Sequence, residues 1–245
     1  MEDSIYKNGV YKKKNPDWHD SDAKWKAEKI FKILEKNNLR PTSICDVGCG
    51  TGGVLLELKK SLKNTRELLG VDISREAIDI AKKRESAKLK FQVGQFPQKK
   101  YDLIMAIDVV EHLENYANLF RKLKTNSNLV ILHIPVDVSI YSFFRKTFYS
   151  RSINSVGHLH FFTKESLLSI IEHYGFEILD YNYTAPGIEK ISGTLNSKIG
   201  KYVRIVTKIF GTNVSSKIMC GYSLLILARP INKKMTSVDL LNKNR

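Results

Sequence analysis

The run Ile44-Cys45-Asp46-Val47-Gly48-Cys49-Gly50-Thr51-Gly52-Gly53 limits what this chain of 245 residues can become. A short apolar stretch ends near an acid, passes through alternating glycines and enters Val54-Leu55-Leu56-Glu57-Leu58, which has the character of a helix start. The order is strand, tight loop, helix. Glycines suit such a loop because the backbone must turn sharply and approach a ligand without a Cβ in the way. The first N–H groups of the following helix then point back at whatever rests on the loop.

Three details narrow the ligand. No Gly-Lys-Ser/Thr follows, which argues against a phosphate-cradling P-loop. Asp46 stands two residues before the first glycine, where a dinucleotide-binding fold has an apolar strand residue. A second acid, Asp72, closes the apolar run Leu68-Leu69-Gly70-Val71, where a carboxylate can accept from both hydroxyls of a ribose. The alternative is an NAD-type fold, which the two acids disfavour.

Asp46-Val47-Gly48-Cys49-Gly50-Thr51-Gly52 followed by Gly70-Val71-Asp72-Ile73-Ser74 resembles the cofactor signature of class I S-adenosylmethionine-dependent methyltransferases. Tyr101 to His112, with Asp108-Val109-Val110-Glu111-His112 at its end, is similar to their fourth strand and the helix after it. The resemblance covers residues 43–135. It implies S-adenosyl-L-methionine as cofactor, with Gly48, Gly50 and Gly52 lining its methionine and ribose portion. Asp72 would take the ribose hydroxyls, Ile73 would pack on adenine, and Asp46 would order the loop or meet the amine on the sulfonium side. Asp108 would meet that amine or the substrate. Many members carry an acid after the third strand; Gln95 stands there instead and could bind adenine through its amide oxygen.

Read in order, the chain alternates strands and helices. Ser21 or Asp22 is a candidate N-cap for a helix whose stripe is Trp25, Ile30, Ile33 and Leu34, ending near Asn37-Asn38. Trp18, His19 and Trp25 before the first strand resemble small bacterial methyltransferases associated with saccharide biosynthesis, whose N-terminal helix covers the cleft. Both tryptophans also suit plain packing. Further strands are expected at Leu89–Gly94, Leu103–Ile107, Leu129–Pro135, Phe176–Tyr183 and Gly221–Ala228, with helices beginning after Ser74 and Thr163 and around Leu119–Leu123. The fold expected is α/β: a doubly wound, Rossmann-like, seven-stranded sheet with helices on both faces, ligands at its carboxyl edge, and strand 7 antiparallel as the resemblance implies. Residues 1–230 are expected as one domain, with a cap helix region at 1–40, substrate-side insertions at 136–162 and 186–219, and a disordered basic tail at 231–245.

The charge is uneven. Forty Lys and Arg face 25 Asp and Glu, a net of +15, and residues 188–245 hold eleven bases against two acids. A surplus there suits an anionic partner, or simply a solvated lysine face. Ile188, Ile191, Leu195, Ile199, Val203, Val206 and Phe210 recur at helical steps among lysines, an amphipathic pattern that fits a substrate cap or a membrane surface. The aromatic, basic stretch Ile140–Tyr149 allows the same two uses. Cys45, Cys49 and Cys220 form neither a disulfide framework nor a zinc cluster. The first residues carry no signal-peptide core and no apolar run reaches membrane-spanning length, so a cytoplasmic protein is expected.

Methyl transfer from a sulfonium is an in-line displacement that requires no metal, and none is assigned. The protein must align the groups and remove a proton where the nucleophile is a hydroxyl. His158 and His160, on a loop at the substrate side, and His112 beside Glu111 are the candidate catalytic residues. An ordinary polar loop is the plain alternative, and His158, His160 and Glu111 together could also bind a divalent ion. His133, within a strand, reads as structural. No Asn/Asp-Pro-Pro-Tyr/Phe follows strand four, where Asp108-Val109-Val110-Glu111 stands instead, which argues against amino-group methylation of nucleobases or glutamine by the usual aromatic clamp. The expected partner is a small-molecule substrate, anionic or lipid-linked, with peripheral membrane contact as a further expectation and nucleic acid not expected. The rival readings are an RNA or protein methyltransferase that uses the basic C-terminal quarter, and a non-catalytic scaffold.

Overall fold

Strict alternation of side chains along the strands decides the layering. The computed structural model describes residues 20–185, 209 and 211–231. Trp18, most of the amphipathic stretch from Ile188 to Phe210, and the tail after Ile231 lie outside the described residues. Seven strands, β1 (Ser43–Val47), β2 (Glu67–Asp72), β3 (Leu89–Val93), β4 (Tyr101–Ile107), β5 (Ser127–Pro135), β6 (Phe176–Thr184) and β7 (Ser223–Pro230), form one sheet in the order β3-β2-β1-β4-β5-β7-β6. The pairings from β3 through β5 are parallel, and β7 is antiparallel to both its neighbours.

In β1, Cys45 and Val47 enter one core and Ile44 the other; β5 and β7 divide in the same way. Helices α4 (Tyr116–Asn126) and α7 (Lys164–His173) cover the first face, through Leu119, Phe120, Leu123, Leu167 and Ile171. Helices α1 (Ala23–Lys36), α2 (Gly53–Ser61) and α3 (Arg75–Lys82) cover the second. A doubly wound sheet follows, and its order reverses between β1 and β4. That reversal opens a crevice at the carboxyl ends of the strands, where such folds bind ligands.

Local signals set the helix starts. Ser74 caps α3, its hydroxyl accepting from the Ala77 N–H at 3.3 Å. Thr163 caps α7 in a reciprocal box whose third-position partner is the Ser166 hydroxyl instead of an acid. Asp22 occupies the cap position of α1 without a side-chain cap bond, because a 3-10 turn, Asp20–Asp22, leads into that helix. Two short helices, α5 (Ile140–Phe144) and α6 (Phe148–Val156), follow β5, and α8 (Thr212–Ile218) precedes β7. Cys220 lies before β7 and is buried, like the other two thiols.

Candidate active site

Gly48, Gly50 and Gly52 have φ of 76°, 53° and 80°, a left-handed backbone that L side chains rarely adopt. A Cβ on Gly48 would lie 2.5 Å from Val109 Cγ2, and one on Gly52 would lie 2.3 Å from the Phe91 ring. Asp72 fixes the loop from the neighbouring strand. Its two carboxylate oxygens accept from the Gly50 and Ser74 backbone N–H groups, each at 2.8 Å. Burial raises the Asp72 pKa, opposed by the N–H groups of Ser74, Gly50 and Ile73.

The loop opens on a cavity of about 620 Å³. Asp46, Gly48, Gly50, Asp72, Ile73, Gln95, Asp108, His112 and His158 all line it, whereas Gly52 and His160 do not. Gln95 is exposed at the rim. Asp46 is only 2% exposed, and its Oδ1 has no hydrogen-bond partner among the described residues. Burial pushes its carboxyl up to about 8, with Lys26 opposing and the Asp72 and Asp108 carboxylates adding to the rise.

Helix α1 roofs this end. Asp20 holds Arg84 through two bonds of 2.7 Å and accepts from the Thr51 hydroxyl at 3.1 Å, which ties the start of α1 to the glycine loop. Lys26 reaches down to Asp108 at 2.7 Å. Asp108 itself has φ 56°, and its carboxylate also meets His133 Nδ1. Burial would raise the Asp108 pKa, but His133 and Lys26 hold it well below the usual carboxylate range. Nε2 of His133 is 2.8 Å from the Thr184 hydroxyl, so both ring nitrogens have partners, and the residue still lines the cavity.

The opposite end is assembled from the 3-10 turn Val110–His112 and the loop after α6. Four hydrogen bonds lace them together. The N–H groups of Leu159 and His160 donate to the Glu111 carbonyl at 2.8 and 3.2 Å. His112 Nδ1 lies 3.0 Å from the Gly157 carbonyl, and His160 Nε2 lies 2.8 Å from the Leu113 carbonyl. His160 therefore pins the loop, with its ring against Tyr116 at 4.8 Å between centroids. His112 and His158 meet edge to face at 5.0 Å, and Asp137 Oδ2 lies 3.4 Å from His158 Nδ1. Glu111 is buried, and burial first, then the Asp108 carboxylate, raise it well above the usual carboxylate range.

Lys26, Asp137 and the Asp20–Arg84 clamp were not among the expected site residues. Lys26 had a signal: it lies three residues after Ala23 and four before Ile30, on the buried face of α1. Asp20, Arg84 and Asp137 had none, since their partners are remote in sequence.

An unpartnered buried carboxyl oxygen, a glycine cradle with no room for Cβ atoms and a ribose-side acid fit a sulfonium nucleoside. Fold and site together define a class I S-adenosylmethionine-dependent methyltransferase. A family model described as a methyltransferase domain matches residues 18–181, and the chain belongs to that family. Ajmaline N-methyltransferase of Rauvolfia serpentina is 30% identical over 115 residues, covering 41% of this chain and 39% of the relative. Probable (S)-tetrahydroprotoberberine N-methyltransferase 2 of Papaver bracteatum is 29% identical over 153 residues, covering 54% and 42%. The matches thus span about two-fifths of the length of these curated relatives. Among solved structures, magnesium protoporphyrin IX methyltransferase of Synechocystis PCC 6803 with bound SAH superposes with a TM-score of 0.57 at 16% identity, over 85% of this chain and 83% of that one. Geranyl diphosphate methyltransferase does so with 0.60 at 13%, over 84% and 77%. At such identities these two speak for the fold.

Proposed function

We propose that this methyltransferase acts on a hydroxyl of a small acceptor, a saccharide or a lipid-linked precursor. The supporting observation is the end of the cavity away from the glycine loop, where Glu111, His112 and His158 converge. Displacement at a sulfonium methyl needs no such groups for the leaving sulfur, which keeps the C–S electron pair and departs neutral. A hydroxyl nucleophile must lose its proton as the C–O bond forms, and an imidazole placed there can receive it. Asp46 and Asp72 would bind the amino-acid and ribose ends of the donor, with Ile73 beside the adenine.

The three free buried thiols suit a reducing compartment, and we place the reaction in the cytoplasm. Among the described residues no helix is long and apolar enough to cross a membrane. Peripheral contact is consistent with Phe143 and Phe144, exposed beside Arg145, Lys146 and Arg151 in a stretch, 138–164, without an acid. A second reading, amine methylation, draws support from the two relatives named as N-methyltransferases.

The test is transfer from isotopically labelled S-adenosylmethionine to panels of free saccharides, lipid-linked saccharides and amines, with the product identified by mass spectrometry. A methyl ether is expected. Exclusive N-methylation would replace this reading with the second, and transfer only to added RNA or protein would overturn both.

A further inference from the structure

We infer that Glu111, His112 and His158 form a site for one divalent transition-metal ion at the acceptor end of the cavity. The inference rests on the hydroxyl reading above for its use, but not for its existence. One ligand atom from each residue can be chosen so that all lie within 4.8 Å of one another. Metal–ligand bonds of about 2 Å put adjacent tetrahedral ligands roughly 3.4 Å apart, so small side-chain rotations close the set. Glu111 is 1% exposed, yet its Oε2 has no hydrogen-bond partner among the described residues. His158 Nδ1 is likewise buried without a hydrogen bond, since its approach to Asp137 at 3.4 Å lacks the geometry of one. Buried polar atoms left unsatisfied are rare in folded proteins and call for an absent partner.

A carboxylate oxygen and an unprotonated imidazole nitrogen both present lone pairs to a cation. Lys26, the cation that reaches into the cavity from α1, is already bound to Asp108 at 2.7 Å. The surroundings also match those of a ligating imidazole. His112 faces the Gly157 carbonyl through Nδ1 at 3.0 Å. Metal-bound histidines use such outer partners to fix ring orientation and tautomer. Two imidazoles and one carboxylate select Zn²⁺, Mn²⁺, Fe²⁺ or Co²⁺ over Mg²⁺ and Ca²⁺. Three protein ligands on the wall of a cavity leave a coordination position facing the acceptor, which favours an acceptor with a hydroxyl oxygen able to ligate. The sequence pairing of His158 with His160 is replaced here by His158 with His112, because His160 is bound to the Leu113 carbonyl.

The experiment is a titration of the full-length, chelator-treated protein with Mn²⁺ and with Co²⁺, followed by calorimetry and by the Co²⁺ visible spectrum. One ion per chain is expected. Glu111→Gln and His158→Asn should each weaken binding at least tenfold, while His173→Ala, an exposed histidine on α7, leaves it unchanged. Retained binding of S-adenosylmethionine by the variants shows that they are folded. The inference is overturned if no ion binds at millimolar concentration, or if binding is indifferent to both substitutions. Methyl transfer that persists without the ion would overturn its catalytic use and leave His158 with Asp137 as the direct base. Absence of transfer to any hydroxyl, with the ion bound, would overturn the hydroxyl reading alone.

Discussion

The two ends of the cavity are built in opposite ways. At the donor end, the loop Gly48–Gly53 and the adjoining strand β2 do nearly everything with backbone, and Asp72 completes the frame from 22 residues away through the Gly50 N–H. At the acceptor end, side chains from Glu111 and His112 meet His158 only because four hydrogen bonds join segments more than 40 residues apart. A frame of glycine backbone tolerates almost no change. A constellation of side chains can be altered while the fold that carries it remains.

Substitutions at each end should therefore separate binding from turnover. His158→Ala is expected to lower turnover by about 10²–10⁴-fold, the usual range for a proton-handling group, with donor affinity kept; kinetics alongside calorimetry check both. If affinity falls equally, the two ends are not independent. Asp72→Ala should weaken donor binding by about 100-fold, since charged hydrogen bonds are each worth roughly 1.5–3 kcal/mol. Unchanged binding would refute the ribose assignment.

The pH dependence sharpens the contrast. Asp46 is protonated below about 8 in the free protein, and a cationic donor favours its carboxylate. Donor affinity should rise with pH toward 8, by at most about tenfold per unit, with proton release detectable in buffers of different ionisation heat. Stability has the opposite sign. The folded pKa is raised from 3.8, so Asp46 contributes stability at low pH that is lost as pH climbs through about 8. Glu111 adds to this trend in the same direction. His160→Ala should cost about 1–3 kcal/mol in thermal unfolding, by orphaning the Leu113 carbonyl, and reduce turnover less than tenfold because the other loop bonds remain. The smallest effect is expected for Phe143→Ser with Phe144→Ser: weaker co-sedimentation with anionic vesicles and unaltered donor binding.

The contrast also explains what could be read in advance. Gly48, Asp46 and Asp72 announce themselves because the chemistry of a tight turn and of a strand end is local. His112 and His158 could be nominated as proton carriers, but not told apart from His160. Their difference lies in which nitrogen meets which carbonyl, a matter of packing between β4 and the segment after α6. Lys26 was hidden in plain view, as a charge on the buried face of an amphipathic helix. Arg84 was not visible at all, because its partner Asp20 lies 64 residues earlier.

One feature of the donor end bears on how a catalytic cycle finishes. The Asp46 oxygen would meet the donor's amine, whose charge is the same before and after the methyl has moved. The reaction erases only the charge on sulfur, so this carboxylate would hold spent and fresh donor alike. Release of the product would then depend on mass action and on the groups nearest the sulfur, with the glycine loop left in place.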